Sequence, residues 1–166
     1  MTLRFALISV LALLAHAASS QIAGIKLGSA GFDRTQPVEV TADTLFLDQE
    51  NGSATFDGNV LVVQDSLRLS ASRVLVEYSD DGGGASGIAR LLATGGVTFV
   101  TSGEAVEASE AAYSVEDAEV RFSGDVLLTQ GPNSISGDRL TINLETGSGL
   151  MEGRVRTIFN PQGGSQ

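Results

Sequence analysis

From residue 38 onward, apolar and polar residues alternate along most of the chain. The alternation is clear in Val38/Val40/Ala42, in Val60/Val62 and in the later runs that follow them. A period of two places every second side chain on one face, as in a half-buried β-strand. No window of useful length has the spacing of an amphipathic helix. Turn-forming pairs such as Asn51-Gly52 separate the runs, so the pattern predicts an all-β protein of antiparallel strands.

These runs are built on a repeated motif: an apolar residue, any residue, a small residue, then Asp or Ser. The copies are Val40–Asp43, Leu69–Ser72, Val106–Ser109 and Ile135–Asp138, each followed by one of the glycines Gly58, Gly95, Gly124 and Gly153. The small residue precedes its glycine by 16 residues in three copies and by 24 in the second. The eight additional residues, Asp80–Gly87, fit a lengthened hairpin tip. A period near 29 residues predicts four repeats and about sixteen short strands.

The Asp or Ser of the motif has a structural interpretation. Asp43, Ser72, Ser109 and Asp138 occupy one equivalent position, and both residue types carry an oxygen that can accept a backbone N–H at a turn. A catalytic acid or a metal ligand would not be exchangeable with serine. We therefore predict capped corners at these positions, with glycines that adopt positive φ or allow close backbone approach.

The N-terminal residues have the pattern of a targeting segment. Arg4 precedes an apolar run that ends in Ala15-His16-Ala17, an A-x-A cleavage pattern, and the run is too short for a membrane span. This predicts a signal peptide at 1–17, with an uncleaved membrane anchor as the alternative. A leader or arm at 18–36, one β domain at 37–160 and a flexible tail at 161–166 complete the expected organisation.

Composition excludes several functions. The chain has no cysteine, and its one histidine lies in the signal segment, so the mature part has no disulfides, no zinc site and no His- or Cys-based catalysis. We expect no catalytic residue, metal or cofactor. A carboxylate-based sugar hydrolase would need two facing acids about 5–10 Å apart, and no such pair stands out. The net charge of −10 argues against nucleic acid as a partner.

The apolar positions of the strands predict a continuous interior, either a packed core or a trough that accepts extended hydrocarbon. Small residues at the corners leave room, and large ones form walls. The predicted lining residues are Phe56, Val62, Leu69, Val76, Phe99, Val106, Tyr113, Phe122, Leu128 and Ile142. The first and last strands of a repeat array have unpaired edges, so Val38, Val40, Val155 and Ile158 mark candidate docking edges.

The ordered series Pro37–Leu45, Ala54–Val60 and Leu67–Ala71, with the later segments Leu92–Val97, Phe122–Gly131 and Ile135–Leu140, resembles the OstA/LptA-like family. These are periplasmic bridge proteins of lipopolysaccharide transport. The resemblance implies a twisted β-jellyroll, open at both ends, that stacks head to tail with copies of itself. It also implies inner-membrane tethered and outer-membrane translocon partners, with lipid acyl chains shielded inside.

The resemblance raises an electrostatic difficulty, because lipopolysaccharide is anionic and the chain is acidic. We expect the lipid phosphates to stay outside the trough, near some of Arg68, Arg73, Arg121 and Arg139, or to be bridged by divalent cations. A structural, self-assembling β-repeat protein of the cell envelope without lipid cargo is the alternative interpretation of the repeats and the open edges.

Overall fold

The computed structural model describes residues 36–79 and 87–160, and the regular structure in these ranges is entirely β. The strands are β1 (Glu39–Thr41), β2 (Thr44–Asp48), β3 (Ser53–Gln64), β4 (Leu67–Tyr78), β5 (Ile88–Val100), β6 (Glu104–Ser114), β7 (Glu119–Gln130), β8 (Asn133–Asn143), β9 (Ser148–Glu152) and β10 (Arg156–Ile158). The predicted signal peptide, most of the leader, most of the hairpin tip and the tail lie outside the described residues.

All ten strands belong to one antiparallel sheet in the order β1-β3-β4-β5-β6-β7-β8-β10. Strand β2 pairs with β3 beside β1, and β9 pairs with β8 beside β10. Each central strand therefore lies between its neighbours in sequence, as expected when short turns connect alternating runs. The prediction of an all-β antiparallel fold is confirmed, and the sheet is open, with β1 and β2 along one edge and β9 and β10 along the other.

The prediction of about sixteen short strands is wrong, because the structure has ten strands in the described ranges. Strands β3 to β8 are 11 to 13 residues long and continue through the repeated motif. Only at the two edges is pairing interrupted there, between β1 and β2 at Asp43 and between β9 and β10 at Gly153–Val155. A bulge bends a strand without ending it, and alternation of side chains alone does not distinguish a bent strand from two strands.

The bend comes from a mismatch in length that recurs between neighbouring strands. In β4, β6 and β8 the inward-facing residues on either side of the motif are three positions apart. In β3, β5 and β7 they are four positions apart, so every neighbouring pair has a register shift at the same level. The spans are Ala71–Val74, Ala108–Ala111 and Gly137–Leu140 against Phe56–Val60, Ala93–Val97 and Phe122–Val126. The shifts align into one corner line across the sheet.

Glycine is required along this line. Gly95 and Gly124 have φ of 82° and 81°, and a Cβ on either would lie 2.6 Å from the Cβ of Ser72 or Ser109. The positive φ and the close approach that the repeats predict at these glycines are both confirmed. Each motif residue thus packs directly against the glycine of the neighbouring strand.

The expected capping bonds differ from those the structure forms. Ser72 Oγ donates to the Gly95 carbonyl at 2.6 Å, and Ser109 Oγ donates to the Gly124 carbonyl at 3.2 Å. The two aspartates cannot donate from an ionised side chain, so their backbone N–H groups bond the paired glycine carbonyls instead. Their carboxylates accept side-chain bonds, from Asn59 to Asp43 at 2.8 Å and from Arg154 to Asp138 at 3.3 Å. The predicted acceptance of a backbone N–H was therefore wrong.

The corner line divides the sheet into two layers that face each other. We call the part containing β2 and β9 the first layer and the part containing β1 and β10 the second layer. Phe99 of the second layer packs edge-to-face on Phe122 of the first, with ring centroids 5.5 Å apart, although β6 separates their strands in the sheet. Such a contact requires that one layer lie over the other. The apolar faces of both layers form one hydrophobic core.

Candidate ligand-binding cavity and sheet edges

A cavity of 310 Å³ lies between the two layers. Its second-layer wall comes from the ends of β3, β4 and β5 and from Val38, and its first-layer wall comes from β4 to β7 and the residues flanking them. The lining residues are Val38, Val62, Gln64, Leu67, Leu69, Val74, Ile88, Leu91, Ala93, Phe99, Ala111, Tyr113, Val115, Val120 and Leu144. All but Gln64 are apolar or aromatic. The volume is at the lower end of the range for small-molecule pockets, about 300–1,000 Å³.

The position of the cavity follows from side-chain size along one row of the first layer. Val74, Ala93 and Ala111 are direct neighbours on β4, β5 and β6, and all three line the cavity. The same row continues with Phe122 and Leu140, which are 0% and 1% exposed. Small residues therefore leave space in the middle of this row, between Phe56 of β3, which pairs with Val74, and the large residues of β7 and β8.

The structure divides the ten predicted lining residues into two groups. Val62, Leu69, Phe99 and Tyr113 line the cavity. The other six are core residues: Val76, Val106, Phe122, Leu128 and Ile142 are buried, and Phe56 packs partly buried against them. Sequence reasoning missed the remaining lining residues, among them Leu67, Ile88, Leu91, Val115 and Leu144. Alternation marks most of these as inward-facing, but it does not indicate which inward-facing residues border empty space.

No charged side chain lines the cavity, and its polar groups are few. The Gln64 amide donates from Nε2 to the Gln36 carbonyl at 2.9 Å, which holds the segment before β1 against the end of β3. Tyr113 contributes a partly buried phenol. An environment of this kind favours a hydrocarbon and disfavours an ionised group, because burial of an unpaired charge costs many kcal/mol.

The four arginines proposed for phosphate contact lie on the outer faces of the layers. Arg73 forms an ion pair with Asp57 at 2.6 Å, and Arg121 pairs with Glu119 at 2.6 Å. Arg68 and Arg139 are exposed and alternate with inward-facing neighbours on β4 and β8. All four therefore point away from the cavity.

The sheet edges carry most of the exposed large apolar side chains. On one edge Leu45, Phe46 and Leu47 of β2 are 53%, 66% and 62% exposed. On the other, the exposed apolar residues are Leu150, Val155, Ile158 and Phe159. The four predicted docking residues lie at the two open edges: Val155 and Ile158 are exposed at one, and Val40 and Val38 are at the other, where Val40 also packs against the core and Val38 also lines the cavity. The exposed residues of β2 and β9 were missed, although β2 carries three consecutive apolar residues.

The acidic residues show little sign of a catalytic or metal-binding arrangement. Within residues 36–79 and 87–160, no group of three His, Cys, Asp or Glu side chains is placed to hold a metal ion. The pKa of Asp48 is lowered, chiefly by the hydrogen bond from the Asn51 side chain, and this carboxyl lies in the exposed turn between β2 and β3. In the described part of the chain, no helix is long and apolar enough to cross a membrane.

Comparison with known proteins agrees with this architecture. A family described as "LptA/(LptD N-terminal domain) LPS transport protein" matches residues 39–148. The Escherichia coli K12 lipopolysaccharide export system protein LptA is 31% identical over 115 residues, which is 66% of this chain and 60% of that protein. The corresponding Haemophilus influenzae protein is 25% identical over 138 residues, or 78% of this chain and 80% of that protein.

Two further similarities extend the comparison. An uncharacterised protein of Rhizobium meliloti is 28% identical over 159 residues, covering 91% of this chain and 83% of that protein. The crystal structure of LptH, the LptA-homologous periplasmic component of the lipopolysaccharide transport device of Pseudomonas aeruginosa, superposes with a TM-score of 0.69 at 19% identity. That match covers 79% of this chain and all of the LptH chain. The chain therefore belongs to the LptA and LptD N-terminal domain family of lipopolysaccharide transport proteins.

Proposed function

We propose that this protein is a periplasmic lipopolysaccharide carrier that shields acyl chains between its two layers and acts without catalysis. The observation that carries the proposal is the cavity, whose fifteen lining residues include no charged side chain. Family membership and the periplasmic location of LptH support the compartment and the class of cargo. The predicted signal peptide is consistent with export to the periplasm.

The energetic need for such a cavity is large. Each methylene moved from water into an apolar environment contributes roughly 0.8 kcal/mol, so a twelve-carbon chain exposed to water costs on the order of 9 kcal/mol. Transfer of the chain into an apolar cavity removes most of this cost, whereas the anionic headgroup stays in solvent. The outward-facing arginines then have no role inside the cavity, and the headgroup stays beyond its mouth.

Site-specific photo-crosslinking tests this assignment. We expect a photoreactive amino acid at Leu69 or Tyr113 to form adducts with purified lipopolysaccharide, because both side chains line the cavity. Ser70 and Ala112 are matched controls, since each neighbours a lining residue in sequence and points to the outer face. Adducts of equal yield at the two control positions, or none at Leu69 and Tyr113, would contradict the proposal.

We further propose that copies of the chain associate head to tail through their open edges. Three neighbouring strand pairs share one register: Val60 opposite Ala71, Val97 opposite Ala108 and Val126 opposite Gly137. In each pair, the residue two positions after a corner glycine faces the small residue of a motif. Val155 follows Gly153 by two positions, and Ala42 is the small residue of the first motif, so the register predicts Val155 opposite Ala42 of a second copy.

This register matches exposed side chains across the junction. It places Leu150 opposite Phe46, Met151 opposite Leu45, and Phe159 opposite Val38 of the second copy. Leu150, Phe46 and Phe159 are 59%, 66% and 66% exposed in the single chain. Paired edges would cover these apolar surfaces and complete the backbone bonding of both edges. The antiparallel direction of the sheet is preserved, since β9 and β10 run opposite to β1 and β2.

Charge at the two edges is also complementary. Residues 36–50 contain four acidic residues and no Lys or Arg, whereas residues 148–160 of the other edge contain Arg154 and Arg156 and one acid, Glu152. The proposed register places Arg156 diagonally across from Glu39 of the second copy, within reach of a cross-strand ion pair. Complementary charge opposes the general repulsion between two copies that each carry a net charge of −10.

A charge exchange tests the register. We expect Arg156→Glu to weaken self-association, because it places two acids together at the junction, and we expect the double variant Arg156→Glu with Glu39→Arg to restore it. Sedimentation velocity over a range of protein concentrations measures the effect. Arg68→Glu, on the outer face of β4 between β3 and β5, makes the same change in net charge away from both edges and is the matched control. Loss of association in the double variant as severe as in Arg156→Glu would refute this register.

The same edges could bind the partner proteins that the family resemblance implies. Edge pairing with domains of the same architecture at the inner and outer membranes would extend the sheet in both directions, so that stacked copies bridge the two membranes. A pull-down with the purified periplasmic domains of such partners, using Arg156→Glu as the comparison, would test whether one edge serves self-association and partner binding alike.

A further inference from the structure

Strand β1 belongs to two surfaces at once. Its outer backbone edge is one of the two free edges of the sheet, since β1 pairs only with β3. Its inner side is part of the interior: Val40 packs against the core and Val38, immediately before the strand, lines the cavity. At the opposite edge, by contrast, neither β9, β10 nor the residues next to them (153–155 and 159–160) line the cavity.

This wall is a short edge strand. Strand β1 is three residues long and has three register partners in β3. Val38 is 47% exposed, and Pro37 before it has no backbone N–H to donate. The Gln64 side chain bonds the Gln36 carbonyl at 2.9 Å and holds the segment at its outer end. A short strand paired on one side only is the kind of element that opens locally at low free-energy cost.

We propose that β1 is a movable wall of the cavity and that docking of a second copy along its free edge holds this wall closed. The inference rests on the proposed head-to-tail association and extends it to regulation of the cavity. In a single chain β1 separates transiently from β3 and opens the side of the cavity at Val38 and Val40. In an assembled chain β1 is paired on both sides, so bound hydrocarbon is retained and lateral escape is suppressed.

The coupling has a definite thermodynamic form. A partner that binds only the closed wall shifts the population toward it, and a ligand that contacts Val38 favours the same state. Linkage then requires each to strengthen the other by the same factor, so occupied chains associate more tightly than empty ones. Such couplings commonly change affinity by about five-fold or more.

An engineered disulfide imitates docking within one chain. Glu39 and Val63 are register partners on the outer face, away from the cavity. Partner Cα atoms in an antiparallel pair are about 4.5–5.5 Å apart, within disulfide range. The chain has no cysteine, so Glu39→Cys with Val63→Cys introduces one defined pair. Thr129→Cys with Ser134→Cys, register partners on the outer face of β7 and β8, is the matched control.

The probe is a dodecanoyl chain carrying a fluorophore, and the readout is its release rate by stopped-flow displacement. We expect oxidation of the Glu39/Val63 pair to slow release by about five-fold or more relative to the same protein reduced. Oxidation of the Thr129/Ser134 pair should leave release unchanged. Reduced protein of each variant is its own folding control. Equal release rates in the oxidised and reduced Glu39/Val63 variant would overturn the movable wall.

A second measurement links the wall to docking. We expect probe release from the unmodified chain to slow as protein concentration promotes association, and release from Arg156→Glu to stay constant over the same range. If the disulfide slows probe release and association does not, the proposed coupling between docking and the wall is refuted. The proposal that β1 is a movable wall is then still supported. If the unmodified chain binds no probe at all, the proposed cavity function itself fails.

Discussion

At the scale of the residue, the fold depends on a contact repeated along the corner line. Each glycine on this line combines positive φ with close packing against the Asp or Ser of a neighbouring strand. The two requirements are separable, because glycines in ordinary turns need a positive φ but not the close packing. Gly131 has φ of 54° and open space where a Cβ would lie. The corner glycines should therefore tolerate alanine less well than the turn glycines.

We predict that Gly124→Ala lowers the free energy of unfolding by more than Gly131→Ala does. Positive φ costs a non-glycine residue about 1–2 kcal/mol, and both variants incur this cost. Only Gly124→Ala also places a Cβ 2.6 Å from the Cβ of Ser109. Urea unfolding monitored by circular dichroism measures the difference, and equal losses in the two variants would show that the close approach is unimportant.

A second residue-scale prediction concerns the turn between β2 and β3. The Asp48 carboxylate accepts bonds from the Glu50 and Asn51 N–H groups, both at 3.1 Å, and from Asn51 Nδ2 at 2.8 Å. These bonds favour the ionised form and lower the pKa of Asp48, with the Asn51 side chain as the largest cause. Because the folded pKa is below the unfolded one, this stabilisation is present above the unfolded pKa and is lost as pH falls through the folded pKa.

Titration of the Asp48 carboxyl by NMR tests whether these hydrogen bonds lower its pKa. We expect a pKa below the usual value of about 3.9 for aspartate, and we expect Asn51→Ala to raise it, because the principal donor is removed. An unchanged Asp48 pKa in Asn51→Ala would remove the side-chain bond as the cause.

At the scale of the element, bent strands allow one sheet to cover its own apolar face. A flat sheet of these strands would leave one apolar face in water, whereas a corner line in every strand brings the two layers together. The Phe99–Phe122 contact joins layers across this line. Burial of such aromatic side chains dominates the energetics of a core, and Phe122 has no exposed surface.

We predict that Phe122→Ala destabilises the protein by about 3–5 kcal/mol, because it removes a fully buried ring and leaves a cavity between the layers. Phe46→Ala, on the exposed edge strand β2, should change stability by about 0.5 kcal/mol or less in dilute protein. Denaturant unfolding of both variants gives the comparison. A loss of less than about 1 kcal/mol for Phe122→Ala would contradict its role between the layers.

At the scale of the whole molecule, packing and space are distributed unequally. The C-terminal side of the interior is filled by residues such as Phe122, Leu128 and Leu140, each at most 2% exposed. The N-terminal side retains the cavity, bordered by Ala93 and Ala111. Space that would be filled in a protein selected for stability alone is here available to a ligand.

We predict that Ala111→Leu reduces binding of the dodecanoyl probe by about ten-fold, equivalent to about 1.4 kcal/mol, while stability is kept or increased. The larger side chain occupies cavity volume and buries additional methylene groups, each worth roughly 0.8 kcal/mol. Ala112→Leu, the next residue on the outer face, is the matched control. Fluorescence titration and thermal unfolding test both effects, and unchanged probe affinity would mean that the ligand does not occupy this part of the interior.

The sequence by itself determined the strand type, the antiparallel order and the level of the corners. Period-two alternation is a local property that is visible within a single run such as Val60/Val62, and the motif and its glycine recur along the chain at spacings that can be counted. The family resemblance added an expectation about the class of cargo. Alternation also marked the inward-facing residues correctly, including Val62, Leu69, Phe99 and Tyr113 at the cavity.

Only the tertiary structure decided how many strands these runs form and where the interior stays open. Whether a strand ends or bends at Ser72 depends on the length mismatch with its neighbours, which requires two paired strands. Whether Phe122 or Leu69 borders free volume depends on which side chains of the opposite layer reach it, and those residues are distant in sequence. The double position of β1 at an edge and at the cavity has the same origin, because it arises only when one layer lies over the other.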